Sequence, residues 1–375
     1  MRNPFAGLHP ALELINREGK VLPATGQAME DLVRPDHQEV IDTLRMGEDR
    51  LLDVVLEAPN RRPYVTLRPL HRNEHHMLRY FLDGSARTYF LGDVVEGRRR
   101  TSVHVAQIGA AVVFRLDDGR VKVAGFERQI VLMMDKKAVS FGERVAQLVQ
   151  EAGGPYRFCD IMEEDGESEM TSPGKEPRSR AAHKAHHMMA KLEDALGRNL
   201  AREPGHWLVL DGSLGKDLHA WRNVPHFFGV TKSFSREPTF TLPGGGARQV
   251  VNLYELLAGL PHSARTCAFS VRSGQMAVWY VRLREQRHLD YPLMGVVKVE
   301  FPNPTREAVP SELIDEISAV LVAERHVTPH GKDPRWHAHL YAIHLAEQAV
   351  KNAFISSEAL RAGLRWPAFP ARAQQ

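Results

Sequence analysis

Cysteine is scarce in this chain: its 375 residues include two, Cys159 and Cys267. Two cysteines without metal-binding spacing exclude a disulfide framework, and they favour a reducing compartment. Long apolar runs are missing as well. No stretch reaches the roughly 18 residues of a membrane span, and no apolar segment follows the N-terminal charge as in a secretory signal. The sequence therefore predicts a cytoplasmic protein without a membrane segment.

A strong charge of one sign is also absent. The chain has 49 Lys and Arg against 46 Asp and Glu, and the net charge of +3 is weak evidence for a polyanionic partner. Charged residues make up 25% and hydrophobic residues 43%, which is ordinary for a globular protein and excludes neither an enzyme nor a scaffold. The length suits one elaborated domain, which we prefer, or two modest ones.

Residues 1–62 form a predicted N-terminal helical segment. Their apolar residues recur at helical spacing, although Pro23 and Pro35 interrupt the pattern. The segment carries no chemical motif, so packing or partner docking is its expected role. The apolar positions behind this prediction are Leu12, Ile15, Leu32, Val40, Ile41, Leu44, Leu51, Val54 and Val55.

Residues 63–375 form the second predicted unit, in which the apolar period changes to that of strands. The turn Asp117-Asp118-Gly119 joins the last two of three extended runs, which predicts an antiparallel meander. A flexible linker is expected near 163–180, which is acidic at first and then rich in Ser, Pro and Gly. The predicted strands include 77–82, 103–115, 121–134, 206–211 and 227–231, and the predicted helices include 138–152, 181–200, 250–260, 310–324 and 337–354.

One pattern occurs twice, an apolar strand that ends in Asp-Gly-Ser. It covers residues 78–85 and 206–213, and the turn dipeptide predicts that Asp83 and Asp211 each lie at the end of a buried strand. Because Asp-Gly is also the commonest signal for a strand to turn, each Asp could merely cap its turn. Two such carboxylates could instead share a divalent metal ion.

Other polar residues accompany these two strands. Either Glu193 or Asp194 could supply a carboxylate from the helix before the second strand, and Lys232 follows the next apolar strand. His344 lies on the predicted C-terminal helix, where His337, Tyr341 and His344 fall at i, i+4 and i+7 while His339 faces elsewhere. These residues could also have no chemical role. Glu193, Asp194 and Lys232 could be solvated charges, and the rings on the C-terminal helix could form a partly buried, hydrogen-bonded stripe.

The order of these elements indicates an α/β fold of the ribonuclease H-like type. It has a mixed sheet, antiparallel strands first and parallel strands after, flanked by helices, here with an N-terminal helical extension. Catalytic acids in that fold lie on the first strand, a helix and the fourth strand. Asp83, Glu193 and Asp211 follow the same order along the chain.

The sequence resembles the NurA family of nucleases. The matching stretches are Phe81-Leu82-Asp83-Gly84-Ser85, Lys191-Leu192-Glu193, the strand of Asp211 with Gly212-Ser213-Leu214, Gly229-Val230-Thr231-Lys232-Ser233 and Ala342-Ile343-His344. The resemblance implies that Asp83, Glu193, Asp211 and His344 bind Mn²⁺ or Mg²⁺, and that Lys232 contacts the phosphate or the leaving group. Two positions depart from the family pattern: Ala86 precedes Arg87, and Trp336 stands where a Tyr is expected.

The resemblance also implies a function. The expected activity is metal-dependent cleavage of DNA, by a homodimer that works with a HerA-type hexameric translocase in DNA end resection or antiviral defence. Two alternatives remain: a catalytically silent adaptor that guides DNA to the translocase, and a ribonuclease H-like enzyme that acts on RNA, because fold does not fix substrate.

Overall fold

The elements of the chain assemble around one large mixed sheet. The computed structural model describes residues 3–24, 51–52, 55–59, 62–71, 74, 76–163, 176–214, 218–221, 223–234, 239–243, 248–285, 291–327 and 336–366. Within these ranges, seventeen strands are numbered in chain order. They are β1 Lys20–Pro23, β2 Leu51–Leu52, β3 Glu57–Ala58, β4 Tyr64–Thr66, β5 Leu78–Glu96, β6 Arg99–Arg115, β7 Val121–Met134, β8 Tyr156–Asp160, β9 Trp207–Asp211, β10 Phe227–Thr231, β11 Thr239–Pro243, β12 Arg248–Asn252, β13 Ala264–Thr266, β14 Phe269–Val271, β15 Met276–Arg282, β16 Val296–Pro302 and β17 Val309–Pro310.

Twelve of these strands form the main sheet. Its order is β4-β13-β15-β16-β10-β9-β5-β6-β7-β8, with β1 paired to β5 and β14 paired to β15. Strands β5, β6 and β7 are long and antiparallel, whereas β9 runs parallel to β5 and β10 runs parallel to β9. The protein is therefore an α/β fold with a mixed sheet, in which antiparallel strands precede parallel ones, as the sequence predicts.

In the described part of the chain, seven α-helices flank the sheets. They are α1 His9–Glu18, α2 Gly142–Ala152, α3 Pro177–Asn199, α4 Leu253–Ala258, α5 Ser311–Glu324, α6 Tyr341–Ala353 and α7 Ser357–Leu364. Helices α3 and α6 both pack on the β5-β6-β7 strands. Among the described residues no helix is both long and apolar enough to cross a membrane.

Helices α3 and α6 cover opposite faces of β5 and β6. A Cβ at Gly84 of β5 would meet Met189 and Glu193 of α3, whereas Ala111 of β6 packs with Val350 of α6. Ala111 is the cross-strand partner of Asp83, and directly opposed residues share a face. Asp83 therefore lies on the α6 face of the sheet, and its neighbour Gly84 lies on the α3 face.

The N-terminal segment differs from its prediction. Helix α1 is present, but Lys20–Pro23 is a strand of the main sheet, and 51–52 and 57–58 are strands as well, so the helical interpretation is wrong there. Residues 25–50 and Val54, with much of the pattern, lie outside the described residues. The buried side chains of Phe5, Leu8 and Ile15 join a core cluster with β5, β6 and β7. Packing, one of the two roles expected, is what this part of the chain does.

Other boundaries also shift. Of the expected linker, 164–175 lies outside the described residues, while Pro177–Asn199 is already helix. The expected helix at 250–260 begins at Leu253, because 248–252 belongs to β12. Both cysteines are free, and burial, with the nearby negative charge of Glu57, raises the pKa of Cys267 to about 12.

Candidate metal-dependent hydrolytic site

The structure places Asp83 and Asp211 next to each other on neighbouring strands. In the parallel pair of β5 and β9, Leu82 lies opposite Leu210, and each aspartate is the next residue. Backbones of paired strands are about 4.8 Å apart, so the two carboxylates originate side by side. β9 ends at Asp211, and Gly212 with φ +104° turns the chain away.

Asp83 is not at a strand end, which corrects the prediction. Strand β5 continues through Asp83, Gly84 and Ser85 because β6 provides an unbroken row of partners, Ala111, Ala110 and Gly109. The turn propensity of Asp-Gly is overridden by this long-range pairing. On the other side of β5, the described residues contain no partner strand between Leu82 and Gly92, where β1 begins to pair. The site therefore opens beside β5 where β9 ends.

Glu193 reaches this opening from α3. An added Cβ at Gly84 would lie 2.7 Å from Glu193 Oε1, so the missing side chain of Gly84 makes room for this carboxylate. The sequence left Glu193 and Asp194 as alternatives; it is Glu193 whose carboxylate lies against Gly84. Since Gly84 follows Asp83 in β5, Glu193 lies beside the strand that carries Asp83.

The charge of Asp211 acts on both Asp83 and Glu193. Burial and the negative charge of Asp211 raise the pKa of Asp83 well above its ordinary value, and Glu347 and Glu193 add to the shift. Burial and the charges of Asp211 and Asp194 likewise raise the pKa of Glu193 well above its ordinary value. Desolvation and like charge both disfavour ionised carboxylates. A divalent cation would remove this penalty, so the cluster fits an oxygen-ligated metal ion.

Lys232 also belongs to the cluster. Its Nζ donates a hydrogen bond of 2.6 Å to Asp211 Oδ2, and the exposed fractions of the two side chains are 11% and 16%. The residue follows β10, which pairs with β9 up to Asp211 opposite Val230. Its charge opposes the upward shift in the pKa of Asp83. Lys232 is therefore a partly buried cation that neutralises part of the carboxylate charge, which differs from a solvated strand-end lysine.

Helix α6 contributes Glu347, a residue that is not among the predicted site residues. The charge of Glu347 acts on Asp83, and Lys232 in turn helps to lower the pKa of Glu347. Burial opposes that lowering, but the hydrogen bond and charge of Lys351 outweigh it. His344 Nδ1 lies 3.8 Å from Glu347 Oε2. The i, i+3 spacing of His344 and Glu347 on a predicted helix was the available signal.

His339 is near His344, contrary to the prediction that it faces elsewhere. The predicted single helix from 337 begins only at Tyr341, so the expected helical periodicity does not apply to His339. The separate turn 336–338 places His337 away, where its Nδ1 accepts a hydrogen bond of 2.9 Å from the Gly295 N–H. His339 and His344, with Glu347, have ligand atoms within 4.8 Å of one another. Of the four predicted metal ligands, His344 is thus grouped with residues other than the three acids.

The loop after Asp211 is held by a buried carboxylate. Glu300 of β16 accepts hydrogen bonds from Ser213 Oγ and from the Leu214 N–H, at 2.8 and 2.7 Å, and pairs with Lys298 Nζ at 2.7 Å. Burial opposes ionisation of Glu300, but Lys298, Ser213 and Leu214 together lower its pKa. This fixed charge locks the Asp-Gly-Ser-Leu turn, and with it the backbone that carries Asp211.

The two positions that depart from the family pattern have other contacts. The Arg87 guanidinium lies 5.7 Å from the centre of the Phe354 ring. The Arg284 guanidinium lies 4.6 Å from the centre of the Trp336 ring. These cation–π contacts give both residues a packing role.

Gly84→Ala is expected to reduce metal affinity with little loss of stability. The new Cβ would displace the Glu193 carboxylate, the flexible end of a side chain, rather than backbone. Gly125→Ala is a matched control, because its Cβ would meet Leu196 of the same helix at 3.1 Å. Calorimetric titration with Mn²⁺ and thermal unfolding would separate the effects. Equal Mn²⁺ affinity in the two variants would contradict the placement of Glu193.

No protein-family model matches this chain, and a search of curated proteins finds no matching sequence.

Proposed function

We propose that the protein is a divalent-metal-dependent nuclease that hydrolyses phosphodiester bonds in DNA. One observation carries the proposal: Asp83 and Asp211 originate side by side on paired strands, with Glu193 against Gly84 and Lys232 bonded to Asp211. Hydrolysis of a phosphodiester needs carboxylates from separate elements to hold a cation, together with positive charge for the phosphoryl oxygens.

The residues of the chain have distinct tasks in this proposal. Asp83, Glu193 and Asp211 would hold Mg²⁺ or Mn²⁺, which would polarise the phosphate and activate water. Glu300 keeps the Asp211 turn in place through Ser213 and the Leu214 N–H. Lys232 would stabilise charge on the phosphoryl oxygens or on the leaving oxygen.

The strand order supports a ribonuclease H-like arrangement. Strands β5, β6 and β7 are antiparallel, and α2 and β8 follow them in the chain. Helix α3, which carries Glu193, then precedes β9, which is parallel to β5, and β10 is parallel to β9. The NurA resemblance adds the proposal of a homodimer that acts in the cytoplasm with a HerA-type hexameric translocase. DNA end resection and antiviral defence both remain within this proposal.

The direct test is cleavage of linear and circular DNA by the purified protein with Mg²⁺ or Mn²⁺, alone and with a HerA-type translocase. RNA of matched sequence identifies the substrate, and a chelator should abolish cleavage. Preferential cleavage of RNA would show that RNA, rather than DNA, is the substrate. If the protein binds the translocase but cleaves no DNA with either metal ion, it would be an adaptor rather than a nuclease.

Oligomeric state is tested separately by mass measurement at micromolar concentration. A dimer is expected. A monomer that the translocase does not change would contradict the partner proposals while leaving the hydrolytic site intact. Truncation of the N-terminus is unsuitable for this test, since Phe5, Leu8 and Ile15 are fully buried in the core.

A further inference from the structure

Three ligand-type side chains next to the acids form a compact group. The ligand atoms of His339, His344 and Glu347 all lie within 4.8 Å of one another. His339 is 3% exposed, and the other two are partly buried. Because Glu347 follows His344 by three residues, helix α6 presents both side chains on one face.

We infer that this group binds a zinc-class transition-metal ion, at a position separate from the one held by Asp83, Glu193 and Asp211. Two imidazoles and one carboxylate are a ligand set that suits Zn²⁺. Mg²⁺ prefers oxygen ligands throughout, so the acid cluster and the histidine group favour different cations. Three protein ligands also leave a coordination position open, as in catalytic zinc sites.

The carboxylate of the group is already oriented. Glu347 Oε1 accepts a hydrogen bond from Lys351 Nζ at 2.5 Å, while Oε2 is the oxygen 3.8 Å from His344 Nδ1. Carboxylates that bind metals are commonly held in this way by a hydrogen bond to a residue outside the ligand set. Lys351 is therefore a positioning residue that leaves Oε2 directed toward the imidazole.

The histidines are oriented as well. The backbone N–H of His326 donates a hydrogen bond of 2.8 Å to the backbone carbonyl of His339. Arg325 and Leu340 form a β-bridge next to this bond. The ring of His326 packs edge-on against that of His344, with centroids 5.0 Å apart. The segment after α5 therefore fixes both the loop of His339 and the ring of His344.

A simpler explanation is an ion pair between protonated His344 and Glu347, with His339 packed beside it. The two explanations differ in metal content. In the metal-binding case the protein retains one equivalent of Zn²⁺ after dialysis against excess Mg²⁺, and Co²⁺ loaded in its place gives a visible absorption spectrum. In the ion-pair case neither is observed.

The test uses Zn²⁺ and Co²⁺ as probes of the full-length protein. We expect His339→Ala and Glu347→Gln to weaken Zn²⁺ binding by more than the roughly 10- to 100-fold that follows loss of an outer-shell partner. His71→Ala, at an exposed histidine, should bind Zn²⁺ normally. Asp83→Asn should also retain Zn²⁺, because it removes a ligand of the other position.

Each result decides for or against the site. Wild-type protein without retained Zn²⁺, equal loss in His71→Ala, or loss in Asp83→Asn would overturn the separate position. If His339→Ala fails to fold by circular dichroism, Glu347→Gln decides, since it keeps the side-chain shape. If the protein binds Zn²⁺ but cleaves no DNA, the absence of cleavage would overturn the nuclease proposal, and the zinc site would still hold.

Discussion

Asp83→Asn and Asp211→Asn are each expected to lower metal-dependent DNA cleavage by at least about 100-fold, the smaller loss seen when one preorganised electrostatic group is removed. Each change removes the charge of one proposed metal ligand while keeping the shape of the side chain. Cleavage at saturating Mn²⁺ measures the effect. Asp160→Asn is a matched control, because Asp160 is a buried acid of β8 outside the cluster.

Asp83→Asn should also raise the melting temperature of the metal-free protein. Because the native pKa of Asp83 is raised, the native state binds its proton more tightly than the unfolded state. Its contribution is therefore favourable below the unfolded pKa and is lost as pH rises through the native pKa. At pH values above the native pKa, the ionised carboxylate destabilises the fold, and Asn removes that penalty.

Two measurements could contradict this prediction. Near-normal cleavage by either variant in Mn²⁺ would show that the acids do not hold the catalytic ion. Thermal unfolding of Asp83→Asn that matches the wild-type protein from acid to neutral pH would show that the charge of Asp83 carries no stability cost.

Lys232→Ala is expected to lower the turnover rate by roughly 10- to 1000-fold. A fixed cation that stabilises charge developing on the phosphoryl or leaving oxygen acts more strongly in the transition state than in the ground state. Its hydrogen bond to Asp211 shows that the ammonium already lies at the acid cluster. Lys232→Arg should restore part of the rate, because a planar guanidinium does not replace a compact ammonium at short range.

Turnover and DNA affinity must be measured separately for Lys232. Lys137→Ala, at an exposed lysine, is the control for a general loss of positive charge. If Lys232 only attracted DNA, its removal would weaken binding and reduce the salt dependence while turnover at saturating DNA stayed normal. Normal turnover together with normal affinity would remove Lys232 from the site.

Local sequence patterns predicted which type of element each acid of the site lies on. Apolar strands with a terminal Asp-Gly placed Asp83 and Asp211 on strands, and the chain order placed Glu193 on the helix between them. The structure adds that Asp83 and Asp211 lie side by side, because β9 pairs with β5 at the pair before each aspartate. Strand register depends on long-range pairing, which a local pattern does not contain.

The misses have the same physical origin. Asp83-Gly84 was predicted as a turn, yet β6 supplies partners beyond it and the strand continues. His339 was assigned by helical periodicity, yet the helix starts at Tyr341, so its direction follows from tertiary contacts. Glu347 carried no motif of its own. Its relevance appears once α6 is packed on the face of the sheet that holds Asp83.

The length of β5 also has a consequence for hydrogen exchange. The strand spans 19 residues and is paired to β6 from Tyr80 to Glu96. Backbone amides in such a strand exchange with solvent deuterium when a large cooperative unit opens, whereas margins of a sheet open locally. Asp83 therefore belongs to a segment whose backbone hydrogen bonds break only when this large unit unfolds. Heat inactivation should then follow global unfolding rather than precede it.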